Sequence, residues 1–310
     1  MEFKHIPVLL NEVLEGLNIK PSGTYVDCTI GGGGHSSYIL KQLNKNGFLY
    51  GFDRDDMAIK ASGERLKDFD NKTIIKDNYK NAPNKLRELG VNEVDGILID
   101  LGVSSPQIDL GERGFSILHE GRLDMRMDRE QSLDAYKVVN NYPREKLLKI
   151  LYEYGEENNA RRIVDRIIEE RSKKPIETTT ELKSVIESAF PKKLLYARGN
   201  VSQQTFQAIR IEVNGELDGL DTCLKQLVSL LKPQGRIGII SFHSLEDRIV
   251  KKVFKELSTG CICPPKTPVC ICGHKASIKL CNNKPITASN EELSINSRSS
   301  SAKLRVAEKL

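Results

Sequence analysis

Short apolar runs alternate with segments of helical periodicity at both ends of this 310-residue chain, and this alternation limits the fold more than any other feature. The runs TYVDC, FLYGFDRD, KTIIKDNY and VDGILIDLG predict four strands, with a helical segment after each of the first three. Strands that alternate with helices at this spacing indicate βαβ units and a parallel sheet. The handedness of such crossovers then favours a doubly wound α/β sheet.

The alternation stops after Asp100 for about a hundred residues. Residues 132–190 have a helical pattern, in which Pro143 starts one helix and Gly155 is a plausible C-cap. Thr178 and Glu181 match a capping box for a later helix. This stretch is interpreted as a helical substrate domain inserted into the sheet.

The α/β pattern then resumes. We predict a long helix over Thr205–Leu231, a fifth strand at RIGIISF and a further helix after it. The tail segments ASIKL, PITAS and SAKLRVAEKL favour a closing antiparallel pair, whereas the polar stretch Ser289–Ser301 predicts a mobile loop.

Composition and charge indicate an ordinary globular chain that acts in the cytoplasm. The net charge of +5 permits a polyanionic partner without demanding one. The first residues, MEFKHIPVLL, lack the pattern of a signal peptide, and no apolar stretch is long enough to cross a bilayer, so no membrane partner is expected. The seven cysteines are an odd number without an extracellular pattern, which favours a reducing compartment.

The run DCTIGGGGHS, residues 27–36, joins the first strand to the first helix of the sheet, where open α/β sheets bind ligands. A dinucleotide fingerprint G-x-G-x-x-G would need glycine at Ser36 or Ser37, and a P-loop would need a lysine before Lys41. Asp53 lies 22 residues after Gly31, which is close to the spacing of a ribose-binding carboxylate. Together these features indicate an adenosine-type ligand.

Asp100 ends the fourth predicted strand, over the same edge of the sheet, in the stretch IDLGVSSPQID. A buried strand that ends in an acid and continues into small residues and proline suits a rigid loop against a planar substrate. The strand-end position favours a functional carboxylate over a simple turn cap.

At this point the sequence resembles the bacterial 16S ribosomal RNA cytosine-N4 methyltransferases, and the resemblance runs nearly from end to end. The shared motifs are HIPVLL at 5–10, DCTIGGGGHS, FDRD, DLGVSSPQID, RGFS at 113–116, LDMRMD at 123–128, YGEE at 154–157, TFQAIRIEVNGEL at 205–217, ISFHSLEDRIVK at 240–251, and SAKLRVAEK near the end.

The resemblance implies a class I methyltransferase fold, Rossmann-like with a mostly parallel seven-stranded sheet and an inserted helical domain. It implies S-adenosylmethionine as cofactor, bound by residues 1–108 and 203–310, with residues 109–202 recognising the substrate. The implied substrate is a cytidine of 16S rRNA in the decoding region of the small subunit, and naked RNA and the 30S subunit both stay open. DNA is not expected as a partner, and a homodimer is one option for the oligomeric state. The implied cofactor contacts are Gly33, Gly34, His35, Asp53, Tyr79, Asp100 and Gln107.

The chemistry of such a reaction needs alignment more than a strong base, because the cofactor already carries an activated methyl group. We hypothesise that Asp100, or a backbone carbonyl of the following loop, accepts a hydrogen bond from the N4 amine. His243 and Glu246 either line the pocket or cap a helix. The predicted RNA contacts are Arg113, Phe115, Arg122, Arg126 and Arg129, with Lys192, Lys193 and Arg198 adding charge.

One position departs from the family pattern. Gln204 stands where the family usually has a basic residue before TFQA, so phosphate binding is not assigned there. Arg210 is the nearer cation, although its helix can turn it toward an acid in the core.

The late cysteines form two C-x-C pairs separated by six residues. Structural zinc more often uses C-x₂₋₄-C spacing, so a zinc site and four reduced thiols both stay open. The four candidates are Cys261, Cys263, Cys270 and Cys272.

Two rival functions also stay open. One is a ribosome-assembly factor that binds S-adenosylmethionine or RNA without catalysis. The other is a methyltransferase of the same fold that acts on DNA or protein.

Overall fold

The computed structural model describes residues 7–193, 195, 200–264, 269 and 271–310, with only the backbone described at 105 and 106. The chain divides into two compact units. The first comprises Met1–Gly102 with Gly219–Leu310, and the second comprises Val103–Asp218.

The first unit contains a seven-stranded sheet in its described part. Strands β1 to β5 run parallel in the order β3-β2-β1-β4-β5, and β7 inserts antiparallel between β5 and β6. This arrangement confirms the predicted doubly wound sheet and the closing antiparallel pair. The strands are β1 Thr24–Asp27, β2 Phe48–Asp53, β3 Lys72–Lys76, β4 Val94–Asp100, β5 Leu231–Ser241, β6 Ile278–Leu280 and β7 Lys303–Lys309.

Helices connect the strands and build the second unit. In chain order, the described α-helices are α1 Leu10–Leu17, α2 Gly34–Gln42, α3 Asp56–Arg65, α4 Ala82–Glu88, α5 Ser105–Asp109, α6 Ala135–Asn141, α7 Arg144–Glu153, α8 Ala160–Lys173, α9 Thr179–Ser188, α10 Gln203–Asn214, α11 Leu220–Ser229, α12 Ser244–Ser258 and α13 Asn290–Ile295. Short 3₁₀ turns lie at Tyr79–Asn81, Gly111–Arg113 and Ser297–Ser301. Among these described helices, none is both long enough and apolar enough to cross a membrane.

Both faces of the sheet are covered, which explains why its central strands are apolar without alternation. In β4, Ile97 and Ile99 belong to the core cluster that includes α11 and α12. Leu98, between them, belongs to the opposite cluster, together with residues of α1 and α2. A strand buried on both faces reads as a continuous hydrophobic run, as VDGILID does.

The second unit has a separate helical core. Buried aliphatic residues of α6 to α10 form one cluster. The predicted capping box at the start of α9 is present, because Thr178 Oγ1 accepts from the amide of Glu181 and the Glu181 carboxylate accepts from the amide of Thr178. Pro143 is the N-cap of α7, as expected, and Gly155 lies one residue beyond its C-cap.

The predicted long helix over Thr205–Leu231 is wrong. Gly215 and Gly219 have positive φ angles of 55° and 63°, and the helix is divided there into α10 and α11. Ile209 and Val213 of α10 pack into the core of the second unit, so the units divide at 102/103 and 218/219, not at the predicted 108/109 and 202/203.

The loop predicted for Ser289–Ser301 is also wrong. Ser289 caps α13 by accepting from the amide of Glu292, and a 3₁₀ turn follows. The Glu292 carboxylate accepts from the backbone amide of Leu9 at 2.8 Å, which ties this polar stretch to the first helix.

Candidate active site

The glycine run forms a turn between β1 and α2 that side chains would obstruct. Gly31 and Gly33 have φ angles of 51° and 74°, in the left-handed region that glycine tolerates. A Cβ on Gly34 would lie 2.8 Å from Pro7 Cγ, whereas a Cβ on Gly32 would meet no described atom within 4 Å. The backbone therefore has open space at Gly32 and is closely packed on the side of Gly33 and Gly34.

Asp53 ends β2 and organises this turn. Its Oδ2 accepts a hydrogen bond from the Gly31 amide at 3.0 Å, and its Oδ1 accepts from the Asp55 amide at 2.9 Å. Burial raises the pKa of Asp53, although both hydrogen bonds act in the opposite direction. The structure thus brings together the two features that indicated an adenosine-type ligand.

Asp100 ends β4, beside the same turn. Its Oδ1 is buried and has no hydrogen-bond partner among the described residues. Burial, with the negative charges of Asp27 and Glu246, raises the pKa of Asp100 to about 8. An orphaned buried oxygen is costly, and its retention at a strand end indicates a site that binds a ligand.

His35 lies in the first turn of α2 and is buried. Its Nε2 is 2.9 Å from the carbonyl oxygen of Val8, and its Nδ1 is 3.8 Å from Asp100 Oδ2. The second distance is too long for a hydrogen bond but short enough for the ring to border the carboxyl group. His35 therefore borders the Asp100 carboxyl group and also contacts the segment before α1.

Asp27 is a further site residue, to which the sequence analysis assigned no function. Its Oδ2 accepts from Ser36 Oγ at 2.6 Å, and its Oδ1 accepts from the Thr29 amide. Burial raises its pKa to about 6. An acid that ends the first strand, immediately before a glycine turn, was the available signal.

The two remaining predicted cofactor contacts, Tyr79 and Gln107, belong to different units of the chain. Tyr79 begins the 3₁₀ turn after β3 and packs against the core cluster that contains Cys223. Burial raises the pKa of its hydroxyl well above the ordinary value. Gln107 lies in the second unit, is buried, and accepts from the Ser104 amide through Oε1.

The segment after β5 caps a helix, which is one of the two alternatives given for His243 and Glu246. His243 and Glu246 form a capping box at the start of α12, with His243 Nε2 3.0 Å from Glu246 Oε1. The same carboxylate accepts from the Phe242 amide at 2.9 Å. A Cβ on Gly102 would lie 2.9 Å from the Phe242 ring, so this capped loop packs against the end of β4.

The predicted RNA-contacting cations fall into two groups. Arg113 is 1% exposed and donates to the Arg126 carbonyl, and Arg126 pairs with Asp124 through two hydrogen bonds at 2.9 and 2.8 Å. Arg113 is therefore buried away from any RNA-binding surface, whereas the Arg126 side chain is 20% exposed and its predicted RNA contact stays a prediction. Phe115 packs against the same core. Arg122, Arg129, Lys192 and Lys193 are exposed, and Arg198 lies outside the described residues.

Arg210 pairs with an acid of the same unit. Its guanidinium makes two 2.9 Å hydrogen bonds to the Glu216 carboxylate, as the alternative interpretation expected. Gln204 is exposed at the start of α10.

Three of the four cysteine candidates come together. The Sγ atoms of Cys261, Cys263 and Cys272 all lie within 4.8 Å of one another. Cys270 lies outside the described residues.

The geometry fits an adenosine-type cofactor that carries a positive charge. In the strand order, the direction of winding reverses between β1 and β4, and ligands bind outside the carboxyl ends of the strands at such a switch point. Asp27, Asp53 and Asp100 end β1, β2 and β4 at this edge. Burial, with a smaller contribution from neighbouring acids, raises the pKa of all three carboxyl groups, and a sulfonium nearby would favour their ionised forms. Fold and site define an S-adenosylmethionine-dependent methyltransferase of class I.

Comparison with known proteins gives the family. Residues 2–310 match the MraW methylase family, and the chain belongs to that family. It is 54% identical over 310 residues to the ribosomal RNA small subunit methyltransferase H of Clostridium botulinum (strain 657 / Type Ba4), with both chains covered completely. It is 53% identical over 312 residues to the protein of the same name from Finegoldia magna, again with complete coverage of both. A solved structure of a putative rRNA methylase from Clostridium thermocellum aligns with a TM-score of 0.45 and 14% identity, covering 99% of this chain and 100% of that one.

Proposed function

We propose that this protein transfers the methyl group of S-adenosylmethionine to the exocyclic N4 of a cytidine in 16S rRNA, in the decoding region of the small ribosomal subunit. The observation that carries the proposal is the match of residues 2–310 to one methylase family whose relatives are small-subunit rRNA methyltransferases. The buried, orphaned Asp100 Oδ1 at the switch point provides the matching chemical feature.

The first unit holds the cofactor. The turn from Gly31 to Gly34 would let the backbone approach the methionine end, and Asp53, at the end of β2, would contact the ribose. A helix N-terminus attracts negative charge, so the start of α2 suits the carboxylate of the cofactor. Tyr79 lies after β3, where it would border the adenine. The cofactor supplies a methyl group already activated on a sulfonium.

The protein must then align the acceptor amine with that methyl group. The N4 lone pair of cytosine is delocalised into the ring, so the amine is a poor nucleophile. Correct alignment of two reactants can lower a barrier by about 7–11 kcal/mol in favourable cases. Gly102, just beyond β4, packs against Phe242 of the capped segment. Such alignment would occur at this end of β4.

Asp100 is proposed to position the amine. Its Oδ1 is available to accept a hydrogen bond from N4–H, which would orient the amine and offset the positive charge that develops on nitrogen. The proton lost from the product can pass to water, because a methylated cytosine with a protonated amine is a strong acid.

The second unit is proposed to recognise the RNA. Exposed cations there suit contacts with phosphates, and the target base has to leave its stack to reach the cofactor. The described exposed candidates are Arg122, Arg129, Lys192 and Lys193. We propose the 30S subunit in the cytoplasm as the physiological partner.

The test is methyl transfer from labelled S-adenosylmethionine to free 16S RNA and to assembled 30S subunits, followed by mapping of the labelled nucleotide. Label at N4 of one cytidine is expected. Incorporation into DNA or protein instead would favour a different substrate class. Cofactor binding without incorporation into any of these would favour a non-catalytic assembly factor.

Asp100→Asn tests the positioning of the amine. With saturating cofactor, the single-turnover rate is expected to fall roughly 100-fold, as when one preorganised hydrogen bond in an active site is lost. Asp221→Asn changes an exposed acid on α11 of the same unit and is expected to react at the wild-type rate. A wild-type rate for Asp100→Asn with normal cofactor binding would remove Asp100 from the mechanism.

A further inference from the structure

The connection between α12 and β6, residues 259–277, has no buried apolar residue in its described part, 259–264, 269 and 271–277. Among its described residues, none lies in a helix or strand and none is buried. Its two ends are held together, because the Ser277 amide donates to the Leu257 carbonyl at 2.8 Å. A closed loop of this length without secondary structure needs another constraint to adopt one conformation.

In the described part of this connection, aliphatic side chains are exposed and cysteine side chains are close together. Ile262, Val269 and Ile271 are 64%, 72% and 83% exposed, so its aliphatic residues face solvent. The cysteines beside them turn toward one another instead, and three sulfur atoms lie within 4.8 Å. In the described part of this connection, sulfur atoms converge on one another and aliphatic side chains do not.

The distances between the sulfur atoms suit a tetrahedral metal ion. Cys261 Sγ and Cys272 Sγ are 3.8 Å apart. Two thiolates on a tetrahedral zinc ion, each at about 2.3 Å from the metal, are separated by about 3.8 Å. A disulfide would require about 2.05 Å between the sulfur atoms.

The backbone beside the sulfur atoms is also shaped for a tight turn. Gly273 follows Cys272 directly and has a φ of 62°, a conformation that few other residues adopt readily. Nothing described lies within 4 Å of the position of its missing Cβ, so the requirement for glycine is conformational and not steric.

We propose that Cys261, Cys263 and Cys272 bind a structural Zn²⁺ ion that holds this connection in shape. On binding, the three thiols lose their protons to solvent and coordinate as thiolates. Structural zinc sites are closed by four protein ligands, so the same segment has to provide one more. Cys270, which the sequence groups with these three, is the candidate and lies outside the described residues. His274 is described but does not belong to the group of ligand atoms within 4.8 Å of one another.

Metal analysis of the full-length protein tests the proposal. The protein is purified under reducing conditions without chelator, incubated with Zn²⁺, and freed of unbound metal. About one zinc per chain is expected, as for a single closed site. Cys272→Ser and Cys261→Ser are expected to lose it. Cys281→Ser changes an exposed cysteine outside the cluster and is expected to retain it.

Cobalt provides a second readout that does not depend on a variant folding correctly. Wild-type protein loaded with Co²⁺ is expected to show the sulfur-to-metal charge-transfer band and the intense visible bands of a tetrahedral thiolate site. Chelation is expected to make residues 259–277 susceptible to proteolysis, and added Zn²⁺ to reverse this. Cys270→Ser is expected to weaken Co²⁺ binding, and His274→Ala, outside the group of sulfur atoms, is its control.

Three results would overturn the proposal. One is wild-type protein that retains no zinc and shows no cobalt spectrum under reducing conditions. Another is retention of zinc by both Cys261→Ser and Cys272→Ser. The third is a mass lower by two hydrogens with no bound metal in the reduced preparation, which would assign the sulfur atoms to a disulfide.

Discussion

Asp100 should release a proton when S-adenosylmethionine binds. A pKa of about 8 leaves this carboxyl mostly protonated at pH 7 in the cofactor-free protein. A sulfonium bound nearby favours the ionised form, because opposite charges attract strongly in a site with little water. At a ratio of roughly ten protonated groups to one ionised group, we expect about 0.9 proton to be released for each cofactor bound at pH 7.

The product of the reaction supplies the matched control. S-adenosylhomocysteine has the same adenosine, amine and carboxylate but carries a neutral thioether. It therefore does not stabilise the ionised form of Asp100. Calorimetric titrations at pH 7 in three buffers of different ionisation enthalpy count the protons exchanged with each ligand. The difference between the two ligands is expected to be close to one proton in wild-type protein and close to zero in Asp100→Asn.

The control variant is Asp221→Asn, which should keep the wild-type difference. Equal proton counts for the two ligands in wild-type protein would refute the reasoning, because Asp100 would then not respond to the cofactor charge. A full difference that persists in Asp100→Asn would assign the released proton to another group, and not to Asp27, which with a pKa of about 6 is mostly ionised at pH 7 and could release only about 0.1 proton.

Two further predictions concern backbone and capping. Gly33→Ala is expected to lower the free energy of unfolding by roughly 1–2 kcal/mol and to weaken cofactor binding, since Gly33 has a φ of 74° and an added Cβ would lie 3.3 Å from Leu66 Cγ. Gly32→Ala, with open space around its Cβ, is the control and should leave urea unfolding almost unchanged. Thr178→Ala removes the N-cap of α9 and is expected to cost about 1 kcal/mol in urea unfolding, whereas Ser184→Ala, exposed within the same helix, should cost little. An equal effect of the two α9 variants would contradict the capping argument.

The sheet and most of its acids could be predicted because the information is local. A buried strand reads as an apolar run, and the acid that ends it marks the carboxyl edge of the sheet. Asp53 and Asp100 were found in this way. Asp27 also ends a predicted strand, but no function was assigned to it. Its burial and its hydrogen bond from Ser36 depend on how the helix after the glycine turn packs.

Features that depend on tertiary contacts were not predictable from local patterns. Helical periodicity continues across Gly215 and Gly219, and only the positive φ angles divide the helix there. Charge alone suggested that Arg113 faces solvent. Its guanidinium donates to the carbonyl of Arg126, 13 residues away, a contact that forms only when the second unit folds.

The clustered acids also give a reason why product would leave the site. Asp27 and Asp100 hold raised pKa values because each is buried near other negative charge, an arrangement that a cationic ligand relieves. When the methyl group departs, the ligand loses its positive charge and Asp100 regains a proton. The ionised fraction of a group with a pKa of about 8 rises roughly tenfold between pH 7 and pH 9. The affinity for S-adenosylmethionine relative to S-adenosylhomocysteine should therefore rise by up to about tenfold over this range in competition binding, and Asp100→Asn should abolish the rise. A ratio independent of pH in wild-type protein would mean that the charge of the cofactor is balanced by groups other than Asp100.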